Sequence, residues 1–441
     1  MKNSMVRTNY VCNVCGYETQ KWYGRCPSCS NWNTFAEFRL EEKKGSGKIS
    51  DLEEEKIIME RAYDIKTSGT NRISTGFDEF DRVLGGGIVL GSVVLLSGDP
   101  GIGKSTLLLQ LALNISSRKN TKVLYVTGEE SADQIKMRME RLTDTKNLKE
   151  KNLFVVSATN IDNILGTLKK EKASLVIIDS IQTMESREFP GFPGSIPQIR
   201  NATSSFVSFA KRNQIPVFLV GHVTKEGIVA GPMLLSHMVD SVLYLEGEKL
   251  SETRILRAFK NRFGDSTEVG IFIMKEKGLL EIKDTASFFM DKKNEKVPGS
   301  CITVIMEGTR PIMVEIQSLV VPSSLSFPRR VVNGLNSNRV ELLLAVIKKH
   351  IRLPVDRTDV FVNVVGGMKI LENASDLAVC MSVVSSYKNK PLPSTVSISE
   401  VGLLGELRNV ANLGKRVIEA KKFGFSNILT FKENRFLNEV I

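Results

Sequence analysis

The chain has 441 residues, which is enough for two or three domains of ordinary size. Hydrophobic residues make up 42% and charged residues 25%, a balance that is typical of folded proteins and excludes disorder as the main state. The formal net charge is +11, which favours a polyanionic partner, although a basic and merely well-hydrated surface has the same composition.

The sequence offers no candidate for a membrane span. Its longest apolar run, Ile88–Leu96, is interrupted by Gly91 and falls short of the roughly 18 residues that a span needs. The first ten residues also lack the apolar centre of an export signal. We therefore expect a cytoplasmic protein with no membrane partner.

Four of the six cysteines lie within the first thirty residues. They form two Cys-x-x-Cys turns, Cys12 with Cys15 and Cys26 with Cys29, separated by ten residues. Four thiolates at this spacing close a tetrahedron around Zn²⁺, and since no further Cys or His lies nearby, the predicted site is structural. Two reversible dithiols are the alternative. One such cluster in a cysteine-poor chain also indicates a reducing compartment.

Three aromatic residues, Trp22, Tyr23 and Trp32, lie among these cysteines. In so small a unit we expect them to pack over the metal, and stacking on nucleic-acid bases is the alternative. The predicted zinc finger covers residues 1–40. A charged stretch with two glycines follows and predicts a linker over residues 41–70.

A phosphate-binding motif follows a buried strand predicted at Val93–Ser97. It reads Gly98-Asp99-Pro100-Gly101-Ile102-Gly103-Lys104-Ser105-Thr106 and precedes an apolar-periodic helix predicted at Leu107–Ile115. Its glycines let backbone N–H groups surround phosphates at a helix amino terminus, so these nine residues are predicted to bind ATP. Lys104 is expected to reach the β- and γ-phosphates, and the Ser105 hydroxyl is expected to bind Mg²⁺.

Polar residues also follow three further apolar strands, predicted at Lys122–Val126, Leu175–Ile178 and Pro216–Val220. Parallel strands bring their carboxyl ends, and hence these residues, to one edge of a sheet. Asp179 after the second strand has the position of a Walker B aspartate that holds Mg²⁺ through water. Glu129 or Glu130 after the first is suited to orient the attacking water, with Glu129 preferred; capping of the next helix is the alternative. His222 after the third predicts a phosphate sensor, with an ordinary core histidine as the alternative.

These residues together resemble the RadA family, also called Sms, of bacterial DNA repair proteins. The resemblance rests on Gly98–Ser105, the Gly-Glu-Glu-Ser stretch at 128–131, Asp179, the four-cysteine cluster and above all Lys260-Asn-Arg-Phe-Gly264. It implies an α/β fold class with three parts. These are an N-terminal four-Cys zinc finger, a RecA-like P-loop ATPase core over residues 71–285 and, after a linker over 286–299, a Lon-protease-like α/β domain over 300–441.

The resemblance also implies roles for single residues. A RecA-type core assembles into a homo-oligomer, a hexameric ring, with ATP between neighbouring subunits. By position in that fold, Glu129 matches the water-activating glutamate and His222 the γ-phosphate sensor. Lys260 and Arg262 match a basic pair that a neighbouring subunit inserts against the γ-phosphate, and two cations at i, i+2 on a strand do point the same way. From the residues alone, a solvated basic edge is the better interpretation.

In RecA-like ATPases, loops that leave the catalytic strand ends line a central channel and bind single-stranded DNA. The corresponding segments here, residues 180–198 and 223–231, have no helical period. The predicted DNA contacts are Lys225 and Arg200 for phosphates and Phe189 and Phe192 for bases. Mobile surface loops without a ligand are the alternative.

The C-terminal domain departs from a working Lon protease at both positions of the catalytic dyad. Ala374 stands where the nucleophilic serine belongs and Gly414 stands about where the lysine belongs, so proteolysis is not expected. Ser375 with Lys415 is the only substitute, each one residue out of register. We expect the domain to build the ring and to offer basic residues to duplex DNA, with solvated charge as the alternative. Those residues are Arg329, Arg330, Arg339, Lys348 and Lys349.

The resemblance therefore predicts a DNA-dependent ATPase of recombinational repair that uses ATP, Mg²⁺ and Zn²⁺. It would translocate on single-stranded DNA and extend branched strand-exchange intermediates alongside the RecA recombinase. Two other classes stay open. One is a nucleotide switch in which ATP only licenses docking of the zinc finger to a partner, and the other is a Lon-like peptidase.

Overall fold

The computed structural model describes residues 7–12, 17–40, 61, 63, 72–143, 148, 151–187, 189, 191–221, 235–247, 251–283 and 297–441. The chain divides into two compact units. The first holds Met1–Glu246, Leu256–Ser266 and Lys275–Leu279, and the second holds Gly247–Ile255, Thr267–Met274 and Leu280–Ile441. Both predicted linkers lie mostly outside the described residues, so the predicted domain boundaries stay predictions.

A three-stranded antiparallel sheet forms the described amino-terminal part. Its strands are β1 (Arg7–Cys12), β2 (Glu18–Thr19) and β3 (Phe35–Leu40), in the order β2-β1-β3. The register places Cys12 opposite Phe35. Between β2 and β3, the Cys26 N–H donates to the Asn31 carbonyl at 2.9 Å, and the Cys26 carbonyl accepts from the Ser30 N–H at 2.9 Å. These bonds close the turn that carries Cys26 and Cys29.

Six parallel strands form the centre of the first unit. They follow a short pair of strands, β4 (Arg72–Ile73) and β5 (Ile88–Val89). In chain order they are β6 (Val93–Gly98), β7 (Val123–Thr127), β8 (Leu153–Ser157), β9 (Leu175–Asp179), β10 (Val217–Val220) and β11 (Ser241–Glu246). They lie side by side in the order β11-β6-β10-β9-β7-β8. Strands β6, β7, β9 and β10 are buried at every position, which is why their sequences are continuous apolar runs.

Five α-helices of the first unit lie within its described residues. They are α1 (Asp78–Val83), α2 (Lys104–Ser116), α3 (Ala132–Leu142), α4 (Ile161–Glu171) and α5 (Ile196–Asn213). Ser131 caps α3 in a capping box with Gln134, and the Asn160 side chain caps α4. The expectation that residues 180–198 contain no helix is wrong at their end. Helix α5 begins at Ile196 because Pro197 is compatible with a first helical turn.

The boundaries between the two units fall within three strands. These are β12 (Thr253–Asn261), β13 (Val269–Lys275) and β14 (Gly278–Glu281). Among the described residues, no helix is both long enough and apolar enough to cross a bilayer.

A mixed six-stranded sheet forms the second unit, in the order β17-β18-β16-β15-β19-β22. Its strands are β15 (Ser300–Glu307), β16 (Arg310–Pro322), β17 (Arg330–Asn333), β18 (Thr358–Val364), β19 (Thr395–Ile398) and β22 (Asn427–Thr430), with a separate pair β20 (Glu400–Val401) and β21 (Leu407–Arg408). The helices are α6 (Ser337–Val346), α7 (Asp376–Lys388) and α8 (Leu413–Lys422). The first ten residues of α7 are all buried, so this helix is central to the unit.

A buried ion pair holds α8 against the strands of the second unit. Arg416 is 1% exposed and makes two bonds to the carboxylate of Glu372, at 2.6 and 2.5 Å. Its guanidinium also donates to the carbonyls of Val304 and Ala411, and Glu372 accepts from the Met306 N–H at 2.8 Å. These bonds satisfy the charge of the buried Arg416, and they also anchor Glu372, whose side chain is 31% exposed.

Arg416→Met is therefore expected to lower the free energy of unfolding of the second unit by about 1.5–3 kcal/mol, the loss of hydrogen bonds to a charged group. The matched control is Arg408→Met, since Arg408 pairs with Glu406 but its side chain is 59% exposed. An exposed pair contributes about 0–1 kcal/mol. Urea denaturation of the full chain measures both, and equal losses for the two variants would contradict the prediction.

Candidate nucleotide-binding and metal sites

Three of the four predicted zinc ligands come together at the amino-terminal sheet. The Sγ atoms of Cys12, Cys26 and Cys29 all lie within 4.8 Å of one another, and those of Cys12 and Cys29 are 3.7 Å apart. Zn–S bonds of about 2.3 Å in a tetrahedron place sulfurs about 3.8 Å apart, so the cluster fits Zn²⁺. The Cys12 sulfur also contacts the Thr34 hydroxyl at 3.1 Å. The fourth predicted ligand, Cys15, lies outside the described residues.

Trp22, Tyr23 and Trp32 are predicted to pack over the metal, but all three side chains are exposed. Their exposed fractions are 55%, 42% and 69%. Cys12 and Cys26 are already buried among the backbone turns, and it is Phe35 at the start of β3 that collects ring contacts. The rings of Tyr17 and Tyr23 lie 6.5 and 6.2 Å from that of Phe35, centre to centre. The two tryptophans are left at the surface.

The P-loop connects the carboxyl end of β6 to the amino end of α2. Gly98, Gly101 and Gly103 have φ values of 146°, 76° and 114°, which favour glycine. A Cβ on Gly98 would lie 2.4 Å from the Leu245 carbonyl oxygen, whereas one on Gly101 would meet no atom within 4 Å. The loop is thus packed tightly against β11 and open at Gly101. That is the shape a backbone cradle for phosphates requires.

Lys104 folds back over this loop. Its Nζ donates to the carbonyls of Gly98 at 2.8 Å and Asp99 at 3.0 Å, and the residue is 3% exposed. Burial lowers the pKa of Lys104, while the nearby charges of Asp179, Asp99 and Glu129 act to raise it. Ser105 and Thr106, on the first turn of α2, are partly exposed. The lysine would exchange two carbonyls for phosphate oxygens when nucleotide binds.

Asp179 ends β9 beside the P-loop and is oriented by a tyrosine that sequence reasoning missed. The hydroxyl of Tyr125, on the neighbouring strand β7, donates to Asp179 Oδ2 at 2.5 Å. Burial raises the pKa of Tyr125 well above its ordinary value, and the Asp179 charge and hydrogen bond raise it further. The phenol therefore stays protonated and keeps donating. This leaves the other carboxylate oxygen available to a ligand, and a hydrated Mg²⁺ would fit its chemistry.

The structure separates the two glutamates after β7. Glu130 is paired with Arg138 of α3, and its backbone N–H donates to the Thr127 hydroxyl. Glu129 is exposed, and its Oε1 accepts from the Ser180 hydroxyl at 2.5 Å. Neither carboxylate caps α3, because Ser131 does. Only Glu129 combines solvent exposure with proximity to Lys104, which suits a group that orients water.

Lys260 and Arg262 lie at the opposite edge of the sheet from the P-loop. Lys260 Nζ donates to the carbonyls of Ser236 at 2.5 Å and Val239 at 2.8 Å, and burial lowers its pKa, as does the neighbouring Arg262 charge. Arg262 is 57% exposed and donates to Asp240 at 3.4 Å.

Asp240 is bonded to the first residue of the P-loop strand: its Oδ2 accepts from the Val93 N–H at 2.9 Å. Strand β6 runs from Val93 to Gly98, about 16 Å at about 3.3 Å per residue. The basic pair is therefore separated from its own P-loop by the length of a strand.

The rest of the Lys260–Gly264 motif fixes the pair in place. The Asn261 amide donates to the Val83 carbonyl, and its oxygen accepts from the Ser241 hydroxyl and the Phe263 N–H, all at 3.0–3.1 Å. A Cβ on Gly264 would lie 2.8 Å from the Cα of Gly85, so the two glycines allow a close backbone approach. These contacts fix the backbone that carries Lys260 and Arg262.

The predicted DNA contacts fall partly within the described residues. Phe189 and Phe192 are 45% and 71% exposed, and Arg200 is exposed on α5 rather than on a loop. Lys225 and His222 lie outside the described residues, so their predicted roles stay predictions.

A buried glutamine that sequence reasoning missed organises the loop between β9 and α5. Gln198 is 2% exposed; its Oε1 accepts from the Ser186 N–H at 2.9 Å, and its Nε2 donates to the carbonyls of Ser186, Phe189 and Gly191 at 2.7–3.3 Å. The Gln198 side chain thus joins the start and the middle of the loop to α5, while the side chains of Phe189 and Phe192 stay exposed.

The second unit gives no support to peptidase chemistry. Ser375 is 1% exposed, Lys415 is exposed, and no hydrogen bond between them occurs within this described part of the chain. Several of the predicted duplex contacts are held by intramolecular bonds. Arg339 is paired with Asp376, Arg330 donates to backbone carbonyls, and Lys348 lies 3.3 Å from Asp356. Arg329 and Lys349 are exposed.

Comparison with known proteins finds one family model for the region of the P-loop and another for the region of the cysteine cluster. A family model described as "AAA domain" matches residues 60–227, and one described as "Rubredoxin metal binding domain" matches residues 10–37. "DNA repair protein RadA" of Bacillus subtilis (strain 168) is 44% identical over 426 residues, covering 96% of this chain and 92% of that protein. "DNA repair protein RadA" of Listeria monocytogenes is 45% identical, covering 97% and 92%.

The chain belongs to the RadA family of DNA repair proteins. Its fold class is confirmed for the RecA-like ATPase core and the amino-terminal zinc-binding module, while the Lon-like character of the second unit stays a prediction. Two solved structures are also similar, each over 48% of the chain: the KaiC-like protein PH0186 of Pyrococcus horikoshii (21% identity, 98% of that chain, TM-score 0.39) and the RadB recombinase (23% identity, 99%, TM-score 0.38).

Tyr125→Phe is expected to raise the Mg²⁺ concentration that half-saturates ATP hydrolysis by about tenfold. It removes a hydrogen bond to a charged carboxylate, which contributes about 1.5–3 kcal/mol, and so frees Asp179 to rotate. Tyr387→Phe is the matched control, since Tyr387 lies near the end of α7 in the second unit and is 38% exposed. The same Mg²⁺ dependence for both variants would show that Tyr125 does not orient Asp179.

Proposed function

We propose that this RadA-family chain is a DNA-dependent ATPase of recombinational repair that works as a ring of identical subunits in the cytoplasm. The observation that carries the proposal is the separation of the ATPase parts. The P-loop, Asp179 and Glu129 meet at the carboxyl edge of the sheet, and Lys260 with Arg262 lies at the amino edge, about 16 Å away. A pair so placed can act only on the nucleotide of another subunit.

In the proposed reaction, each P-loop binds the phosphates of ATP through its backbone N–H groups and Lys104. Ser105 and Asp179 would hold Mg²⁺, which neutralises charge on the β- and γ-phosphates when bound. Glu129 orients the attacking water. Lys260 and Arg262 of the neighbouring subunit leave their present partners and stabilise charge on the transferring phosphoryl group.

Nucleotide state reaches DNA through the chain that follows β9. Ser180 touches Glu129, and the loop held by Gln198 begins a few residues later. A movement of Glu129 on hydrolysis is thereby coupled to the segment that presents Phe189 and Phe192. We propose that this loop, with Arg200 and Lys225, grips single-stranded DNA, and that His222 reports loss of the γ-phosphate.

The finer activity follows from this cycle. A hexameric ring that moves its DNA loops with each hydrolysis would translocate along a single strand and drive branch migration of recombination intermediates, working with the RecA recombinase. A nucleotide switch without motor activity is the competing function. It predicts ATP binding with a turnover that is indifferent to DNA.

The decisive experiment is steady-state ATP hydrolysis without DNA, with single-stranded DNA and with duplex, at two salt concentrations. Stimulation by single strands that weakens with salt is expected, because backbone contacts release counterions. A rate unaffected by either DNA would overturn the motor and favour the switch. Labelling of Ser375 by a serine-reactive probe would revive the peptidase.

Lys260→Ala is expected to keep ATP binding but to lose at least about 90% of turnover, because the residue acts after binding. Lys104→Ala should lose hydrolysis in its own P-loop while retaining a functional Lys260. Mixed rings of the two variants should therefore recover part of the activity, measured as turnover against mixing ratio. Absence of recovery in mixed rings that demonstrably form would contradict action between subunits.

Gln198→Leu is expected to raise the concentration of single-stranded DNA that half-maximally stimulates ATP hydrolysis, by about tenfold. The substitution keeps the volume but removes the bonds that hold the loop and leaves its carbonyls unsatisfied. Asn213→Leu is the control, since this amide at the other end of α5 bonds only to the Phe209 carbonyl of its own helix. If both variants bind DNA like the parent, Gln198 does not position the loop.

A further inference from the structure

The zinc finger has an aromatic surface that neither the metal nor the ATPase uses. Trp22 and Trp32 are more than half exposed, and they are the only two tryptophans in the chain. Large aromatic rings that cluster on the surface of a small domain mark a site that contacts a partner. We define the stacking face as Lys21, Trp22, Gly24, Arg25 and Trp32.

The two indole rings of the stacking face border the same point. A Cβ built on Gly24 would lie 3.6 Å from Cη2 of Trp22 and 3.9 Å from Cζ3 of Trp32. Each six-membered ring thus lies beside the Gly24 backbone, and the missing side chain leaves the space between them open. Gly24 itself is held by its carbonyl, which accepts from the Asn33 N–H at 2.8 Å.

A cation is fixed against one of these rings. The guanidinium of Arg25 lies 5.8 Å from the centre of the Trp32 ring, and its Nε donates to the Ser30 carbonyl at 2.9 Å. This bond orients the charge over the ring and leaves the terminal nitrogens of an exposed side chain available to a ligand. Lys21, next to Trp22, is also exposed.

The charge of this segment selects the class of partner. Residues 20–33 contain Lys21 and Arg25 and no acidic residue. Exposed aromatic rings next to cations are the pattern by which proteins bind single strands, where rings stack on bases and cations contact phosphates. A duplex hides its base faces, and an apolar peptide gains nothing from the cations. The complementary ligand is therefore a flexible polyanion that carries exposed planar rings.

We propose that the stacking face binds single-stranded nucleic acid, with bases stacked on Trp22 and Trp32 and phosphates bound by Lys21 and Arg25. The site is separate from the loops of the ATPase core and does not depend on the function proposed for them. It would give each subunit a second, nucleotide-independent contact with the strand.

The test is the intrinsic tryptophan fluorescence of the full zinc-loaded chain, titrated with a thymidine oligonucleotide in the absence of ATP. Because both tryptophans of the chain form the stacking face, the emission reports on this surface alone. Saturable quenching that weakens as salt rises is expected. Anisotropy of a labelled copy of the oligonucleotide measures total binding in the same samples.

Variants separate the stacking face from the core loop. In a Phe192→Ala background, which weakens the proposed core contact, Trp32→Ala or Trp22→Ala should weaken oligonucleotide binding by about fivefold or more. Both should retain zinc, because each replaces a side chain that is more than half exposed. Phe327→Ala is the matched control, since it removes an aromatic ring that is 89% exposed in the second unit.

Each outcome decides the proposal. Quenching that persists in Phe192→Ala supports it even if DNA fails to stimulate ATP hydrolysis, so failure of the proposed ATPase function is told apart. Three results overturn it: bound oligonucleotide without quenching, quenching that vanishes in Phe192→Ala, and equal quenching by duplex or by inorganic polyphosphate. The first of these would leave the stacking face to a protein partner.

Discussion

A parallel sheet has two chemically different edges, and the proposed enzyme depends on that difference. All carboxyl ends of its strands meet at one edge, so the P-loop after β6, Glu129 after β7 and Asp179 at the end of β9 come together without any long-range search. The amino ends meet at the other edge, where Asp240 receives Arg262. If Lys260 and Arg262 take part in hydrolysis as proposed, the catalytic set of one subunit is incomplete and activity requires assembly.

The carboxylate of Asp240 links Arg262 to the strand that leads into the P-loop. It is 4% exposed and accepts from the Val93 N–H, from Lys211 at 2.6 Å and from Arg262 at 3.4 Å. Two cations and one backbone donor keep this buried charge satisfied. Since Val93 begins the strand that ends in the P-loop, one strand has the P-loop at one end and the contact to the basic pair at the other. This is the arrangement that the proposed action between subunits requires.

The sequence predicted those elements whose signal is local. Strand β6 and helix α2 follow from a continuous apolar run, a glycine-rich turn and an apolar period, and the structure has them within a few residues. Tyr125 and Gln198 escaped prediction because their roles arise from register and tertiary contact: a tyrosine in an apolar strand looks like core until its neighbour is Asp179.

The tryptophans of the zinc finger are a related case. Pattern alone does not tell which aromatic ring the others pack against, and here Tyr17 and Tyr23 contact Phe35, which strand pairing places opposite Cys12. The difference between Glu129 and Glu130 likewise depends on a tertiary contact, since Arg138 pairs with Glu130 from eight positions away, across a turn of helix that the sequence pattern does not specify.

The surroundings of the nucleophilic side chains in the second unit do not favour covalent catalysis. Ser375 is 1% exposed, and burial raises the pKa of Cys301 to about 12 and raises that of Cys380 as well, so neither thiol forms a thiolate near neutral pH. Near the expected dyad, Arg416 and Glu372 form a fully bonded ion pair that fixes α8. Such a pair stabilises one arrangement of helix and strands. The described part of the unit therefore gives no support to acyl transfer.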